Sequence, residues 1–214
     1  MILYHGSELI IDKPQYGKGK PYNDYGLAFY CTESKELASE WAVSENRDGF
    51  VNCYDVDMSD LSVLDLCDEQ YTVLNWMSIL VSNRNFDSNS PMVIEGKNYL
   101  MKNYSVEYEK YDVIIGWRAD DSYFSFARAF LNNTLSLEKL EQAMKLDNLG
   151  IQYAIKSEKA FSYIKYLKYE VARHNSFFQS KKQREINATE DFQKIRSAAS
   201  VLNETYIIDL LRRG

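Results

Sequence analysis

Asp24-Tyr25-Gly26-Leu27-Ala28-Phe29-Tyr30-Cys31-Thr32 is the stretch on which the reading of this chain turns. Just before it, Lys13 to Tyr25 collects Pro14, Gly17, Gly19, Pro21, Asn23 and Asp24, a density of turn residues that only a loop tolerates. Ala28 to Cys31 then reads as a short strand, and Thr32 or Ser34 can cap a helix from Lys35 to about Val43. Working back to the start, Ile2 to His5 is a short apolar strand that ends at a turn through Gly6 and Ser7. A tyrosine in an apolar strand is ordinarily packing, and a histidine at a strand end is ordinarily a satisfied turn residue. The pair gains weight from its arrangement, with Tyr30 following His5 by 25 residues across a Pro/Gly-rich loop.

Downstream, Phe50 to Val56 and Ser62 to Leu66 read as strands. Asp68 to Val81 has helical apolar spacing, and a second helix is expected over Met92 to Tyr104 behind Pro91. Tyr111 to Ile115 is a continuous apolar run ending at Gly116, which suits a buried central strand. Asp120 or Asp121 is expected to cap a helix from Tyr123 to Leu131, and Ser136 another reaching Met144. Ile151 to Ile155 is a short strand, and Ser157 caps a helix expected from Glu158 to Tyr166. Beyond one candidate strand at Leu167 to Ala172 the tail reads as helical. Short strands scattered among helices without βαβ regularity indicate the α+β class.

The chain has 214 residues, 45% of them hydrophobic and 26% charged, enough to bury a core without disulfides or metals. No stretch approaches the ~18 consecutive apolar residues of a membrane span, and MILYHGSELI has no signal-peptide pattern. The expectation is a cytoplasmic protein with no membrane partner. Cys31, Cys53 and Cys67 are odd in number, lack C-x-x-C spacing and sit by apolar segments, so buried free thiols are expected. His5 and His174 are far apart in sequence and without paired cysteines, so no metal is expected. The net charge of −6 divides into −11 over residues 1–149 and +5 over residues 150–214. In the tail, Lys181-Lys182-Gln183-Arg184 comes nearest to an anion-binding patch; the plainer reading is a solvated helix face.

His5-Gly6-Ser7 and Gly26 to Tyr30 resemble the opening of the poly(ADP-ribose) polymerase and diphtheria toxin catalytic domains. There a strand ending in His-Gly-Ser or His-Gly-Thr is followed by Gly-x-x-x-Tyr and a Ser-containing helix start. The longer order of Leu3-Tyr4-His5-Gly6-Ser7, Tyr25-Gly26, Phe29-Tyr30, Ala38 and Trp41-Ala42 is similar to a bacterial family of unknown function grouped with these transferases. The likeness continues through Asp112 to Gly116, Ala119-Asp120-Asp121, and Gln152 ahead of Lys159-Ala160, and covers roughly residues 2–167.

The resemblance implies an ADP-ribosyltransferase-like split β-sheet core with flanking helices over residues 1–167, and a mostly helical extension over 168–214 packed on it. It implies NAD+ as substrate. His5 would hydrogen-bond the adenosine ribose, Gly6 would hold the nicotinamide carboxamide through its backbone with Ser7 beside it, and Tyr30 would stack on the nicotinamide ring. Trp41 would wall the same pocket or belong to the core, the latter being the commoner fate of a helix-face tryptophan. Arg118 would meet the pyrophosphate if its strand end faces the cleft.

The reaction passes through an oxocarbenium-like state, which related transferases stabilise with a glutamate. Here that position is Gln152, which keeps a hydrogen bond and loses the charge. Gln152→Glu is then expected to preserve or raise nicotinamide release, and Glu33 and Glu158 stand as substitute carboxylates. Ala28 is a second departure, where relatives often have glycine. Polymer elongation is not expected. What stays open is mono-ADP-ribosylation of a protein or nucleic acid, NAD+ hydrolysis, or an NAD+-binding module without turnover. The bacterial likeness implies a toxin of a toxin–antitoxin or phage-defence pair, with an antitoxin partner. A structural domain in which His5 and Tyr30 only pack is the remaining alternative.

Overall fold

In the computed structural model, residues 1–86, 90–119, 121–144, 146, 150–199 and 204–213 are described. Seven strands form two small sheets. The first is antiparallel in the order β1-β3-β7, made of β1 (Ile2–Ser7), β3 (Gly49–Val56) and β7 (Ile164–Ala172). The second has the order β2-β6-β5-β4, from β2 (Phe29–Cys31), β6 (Ile151–Ile155), β5 (Val113–Trp117) and β4 (Val63–Asp65), with β4 and β5 parallel. The sheets meet where β1 and β2 touch. A single bridge joins Tyr4 and Thr32 through reciprocal backbone hydrogen bonds of 2.8 and 2.9 Å.

The mixed α+β class expected from the sequence is therefore present. Helix α1 (Lys35–Ala42) starts where Ser34 Oγ accepts the Leu37 N–H at 3.1 Å, satisfying one of the orphan donors of the first turn. It lies against β1 so closely that a methyl at Gly6 would fall on the Ala38 carbonyl oxygen. Helix α2 (Val73–Asn83) begins five residues later than expected. Asp65 and Asp68 fold the preceding segment into turns by accepting the N–H groups of Cys67 and Gln70. Pro91 opens α3 (Pro91–Asn103) at the position where a missing N–H costs nothing. Helix α4 (Asp121–Leu131) begins at Asp121, and Asp120 lies outside the described residues. Ser136 Oγ accepts the Lys139 N–H at 3.3 Å at the head of α5 (Leu137–Met144).

One expectation is corrected downstream. The helix capped by Ser157, α6, runs only from Glu158 to Ser162, and the chain then turns into β7, which pairs with β3 from Ile164 to Ala172. Leu167 to Ala172 is the strand expected there, while at Ile164 to Tyr166 pairing with the open edge of β3 outweighs the local helical pattern, a tertiary override of propensity. The boundary at residue 167 consequently falls inside a strand. The tail that follows, α7 (His174–Ser197) and α8 (Ile207–Arg213), is helical and packs into the main core. Ala188, Ile195, Ile207 and Leu210 are buried there, and Phe192 meets Phe126 edge-on at 4.5 Å. Arg184 spans to α1, where its guanidinium bonds both carboxylate oxygens of buried Glu40 at 2.7 and 3.0 Å. It is thereby withdrawn from the basic run at 181–184.

The main core lies between the second sheet and helices α2 to α5, α7 and α8. A second cluster, with Leu3, Phe29, Tyr54, Val113, Tyr153 and Ile155, fills the space where the two sheets face each other. Cys31 and Cys53 are buried free thiols as expected, whereas Cys67 is exposed in the Asp65–Asp68 turns. No helix among the described residues is long and apolar enough to cross a membrane.

Candidate functional site

The junction between the sheets opens into a cavity of about 630 Å³, within the ~300–1,000 Å³ range of small-molecule sites. Its wall draws on His5 from β1, Tyr30 from β2, Trp41 from α1 and Gln152 from β6, so four residues chosen from distant parts of the sequence come together. Gly6 and Ser7 do not line it. The α-carbon of Gly6 is pressed against α1, and Ser7 is turned to the following loop, where its hydroxyl donates to the Leu9 carbonyl oxygen while Asn52 Nδ2 of β3 donates to it at 3.4 Å. The importance of Gly6 is the close approach of β1 to α1, which seats His5 at the cavity.

His5 Nδ1 is 2.7 Å from the Tyr30 carbonyl oxygen, an atom that can only accept, so Nδ1 carries the proton and Nε2 is left as an acceptor. The ring lies against Phe29 with centroids 4.4 Å apart. Burial lowers its pKa, opposed by the bond to Tyr30, which favours a neutral ring at pH 7. The Tyr30 hydroxyl donates to Gly26 O at 2.6 Å and accepts the Tyr25 N–H at 3.1 Å. Its proton is held up by burial and by the nearby Asp24 charge, so what Tyr30 offers a ligand is its ring. Gly26 makes this loop possible with a φ of 76°, the left-handed region that favours glycine.

Trp41, for which a core position is the commoner expectation, stands on the cavity wall with Arg118 over its ring at 5.1 Å. Its indole N–H is buried without a hydrogen-bond partner. Gln152 is 4% exposed, and its Nε2 donates to Asp24 Oδ2 at 2.8 Å and to Trp117 O at 3.3 Å. Glu33 and Glu158, the carboxylates considered in place of a glutamate at 152, do not line the cavity. Glu33 accepts from the Tyr153 hydroxyl, and Glu158 is in the first turn of α6.

The carboxylate on the wall is Asp24, the first residue of the Asp24 to Thr32 stretch, which by sequence alone is only a turn residue. It is 5% exposed; Oδ2 accepts from Ala119 N and Gln152 Nε2, both at 2.8 Å, and Oδ1 is 3.5 Å from Arg84 Nη1. Burial raises its pKa, against the pull of the Ala119 N–H, Arg84, Gln152 and Arg118. Lys18 and Lys20 from the loop line the cavity together with Arg84 and Arg118. Of these, Arg118 is singled out in the sequence as a pyrophosphate partner; for Lys18 and Lys20 the sequence signal is the loop's Pro/Gly content, which fixes neither the direction of a lysine nor its neighbours. Among the described residues no group of three His, Cys, Asp or Glu side chains converges as a metal site would.

Searches of curated proteins and of solved structures return no match. A family model described as protein of unknown function, DUF3990, matches residues 1–166, from β1 into the first residues of β7, and so takes in every side chain named on the cavity wall. The chain belongs to that family of proteins of unknown function, DUF3990.

Proposed function

We propose that the cavity binds NAD+ and that the protein is a mono-ADP-ribosyltransferase, breaking the ribose–nicotinamide bond and passing ADP-ribose to a protein or nucleic-acid acceptor. The observation that carries this reading is the meeting of His5, Tyr30 and Gln152, from three strands, on one cavity at the seam between two sheets. The single bridge that joins those sheets supports an ADP-ribosyltransferase-like split core. An acceptor nitrogen on His5 suits a ribose hydroxyl, and the Tyr30 ring, with its hydroxyl tied back, suits stacking on nicotinamide. Lys18, Lys20, Arg84 and Arg118 give the wall the positive charge that a pyrophosphate calls for. In this reading the protein acts as the toxin of a toxin–antitoxin or phage-defence pair.

A second reading, an NAD+-binding module without turnover, has one observation in its favour: the amide of Gln152 is engaged with Asp24 and Trp117 rather than presented to the cavity. Calorimetric titration with NAD+, together with chromatography of released nicotinamide, separates the two. His5→Ala and Tyr30→Ala are each expected to cost about 1–3 kcal/mol of NAD+ affinity. Titrations of the folded variants that match the wild type would refute the assignment of this cavity to NAD+. Normal binding without nicotinamide release would establish the module.

A further inference from the structure

Among the described residues, two side-chain atoms are buried without a hydrogen-bond partner, Asp24 Oδ1 and Trp41 Nε1, and both residues belong to the cavity wall. For Asp24 the contrast between its two oxygens is informative. Oδ2 takes two donors at 2.8 Å, while Oδ1 takes none and has Arg84 at ion-pair distance, 3.5 Å. A carboxylate buried beside a cavity is costly unless its acceptor sites are used, and Oδ1 has capacity left for a donor from a ligand. If the residue served only to clasp the loop onto β5 and β6, Oδ2 alone would suffice.

We propose that Asp24 is the carboxylate of the reaction, its Oδ1 accepting a hydroxyl of the nicotinamide-bearing ribose while its charge stabilises the sugar cation that forms there. This rests on the NAD+ reading above and moves the charge that Gln152 lacks to the residue Gln152 holds in place. In the step itself, the bond from the sugar carbon to the nicotinamide nitrogen breaks with both electrons going to that nitrogen, which becomes neutral. The sugar is left as an oxocarbenium ion. A lone pair of the acceptor, or of water, forms the new bond on that carbon, and the acceptor's proton leaves to solvent. Nothing is oxidised or reduced. A negative oxygen facing the sugar acts mainly in the transition state, because the positive charge on the sugar develops there.

The test uses the full chain, with NAD+ affinity and nicotinamide release measured on the same preparations. Asp24→Asn retains the shape and an acceptor for Ala119 N but not the charge. Its release is expected to fall by about 100-fold or more while NAD+ affinity stays within about threefold, a loss in kcat rather than in binding. Asp24→Glu restores the charge one methylene further out and is expected to recover part of that release, which a purely structural clasp would not require. An Asp24→Asn protein that releases nicotinamide within about threefold of the wild-type rate overturns the proposal. So does an Asp24→Glu protein that folds and binds NAD+ yet is silent, which covers the case in which Asp24→Asn does not fold. A wild type that fails to bind NAD+ removes the proposed function and this inference with it. A wild type that releases nicotinamide with an equally active Asp24→Asn removes this inference alone.

Discussion

Replacing Gln152 by glutamate introduces a second carboxylate into a space the wild type fills with a donor. The amide nitrogen of Gln152 is 2.8 Å from Asp24 Oδ2, and both side chains are almost fully buried. Two unit charges about 2.8 Å apart repel by about 6 kcal/mol at an effective dielectric constant of ~20. Keeping a proton costs less. A glutamate with an ordinary pKa of ~4.3 is held protonated at pH ~7 for about 4 kcal/mol, at ~1.36 kcal/mol per unit. The pair is therefore expected to retain one proton at neutral pH and to titrate as a unit. A carboxyl whose folded-state pKa is raised contributes stability that is complete below its unfolded pKa and is lost as the pH rises through the folded value. Relative to the wild type, Gln152→Glu should thus lose about 1.4 kcal/mol per pH unit above pH ~4.3, up to about 4 kcal/mol near pH ~7. Urea unfolding of both proteins at pH ~5 and pH ~7 reads the difference directly, with an expected widening of about 2–3 kcal/mol. An equal gap at the two pH values would refute the contact between position 152 and an ionisable Asp24. Because the shared proton keeps the wall at one negative charge, nicotinamide release by Gln152→Glu should be preserved rather than increased.

Gly6→Ala should destabilise by about 3 kcal/mol or more, because the new methyl meets the backbone of α1 at Ala38 and Ala42 rather than a side chain that can rotate away; thermal unfolding followed by circular dichroism reads it, and a melting temperature equal to the wild type's would contradict the packing of β1 on α1. The pKa of His5 is lowered by burial, so the stability it supports should be complete above its unfolded value of 6.5 and fall as the pH drops through the folded value. That acid-side loss should be smaller in His5→Gln when the two proteins are unfolded in urea across the same pH series, and an identical pH dependence would place His5 in water rather than at the cavity wall.

Local chemistry accounts for what was legible in the sequence. Ser34, Ser136 and Ser157 cap helices from within three residues of the N–H groups they satisfy, and Pro91 opens α3 for an equally local reason. The alternating or continuous apolar runs around Ile2, Phe50, Val113 and Ile151 all became strands, because side-chain periodicity and turn residues act over the same few positions. His5, Tyr30, Trp41 and Gln152 could be singled out through motif order alone, but their meeting on one wall depends on how two separate sheets are joined at Tyr4 and Thr32. Tertiary structure decided where β7 begins: Leu167 to Ala172 was legible as a strand, but the free edge of β3 draws Ile164, Lys165 and Tyr166 out of the helical pattern that the local residues support. It also placed α7 and α8 in the main core, through apolar side chains whose partners are far away in sequence. Asp24 is the clearest case. In the sequence it is one more acidic residue in a turn-rich loop; in the fold it reaches across 95 residues to Ala119 and 128 to Gln152. Its burial comes from packing against those distant segments and raises its pKa against the pull of the Ala119 and Gln152 hydrogen bonds, and no periodicity or local pattern encodes contacts of that range.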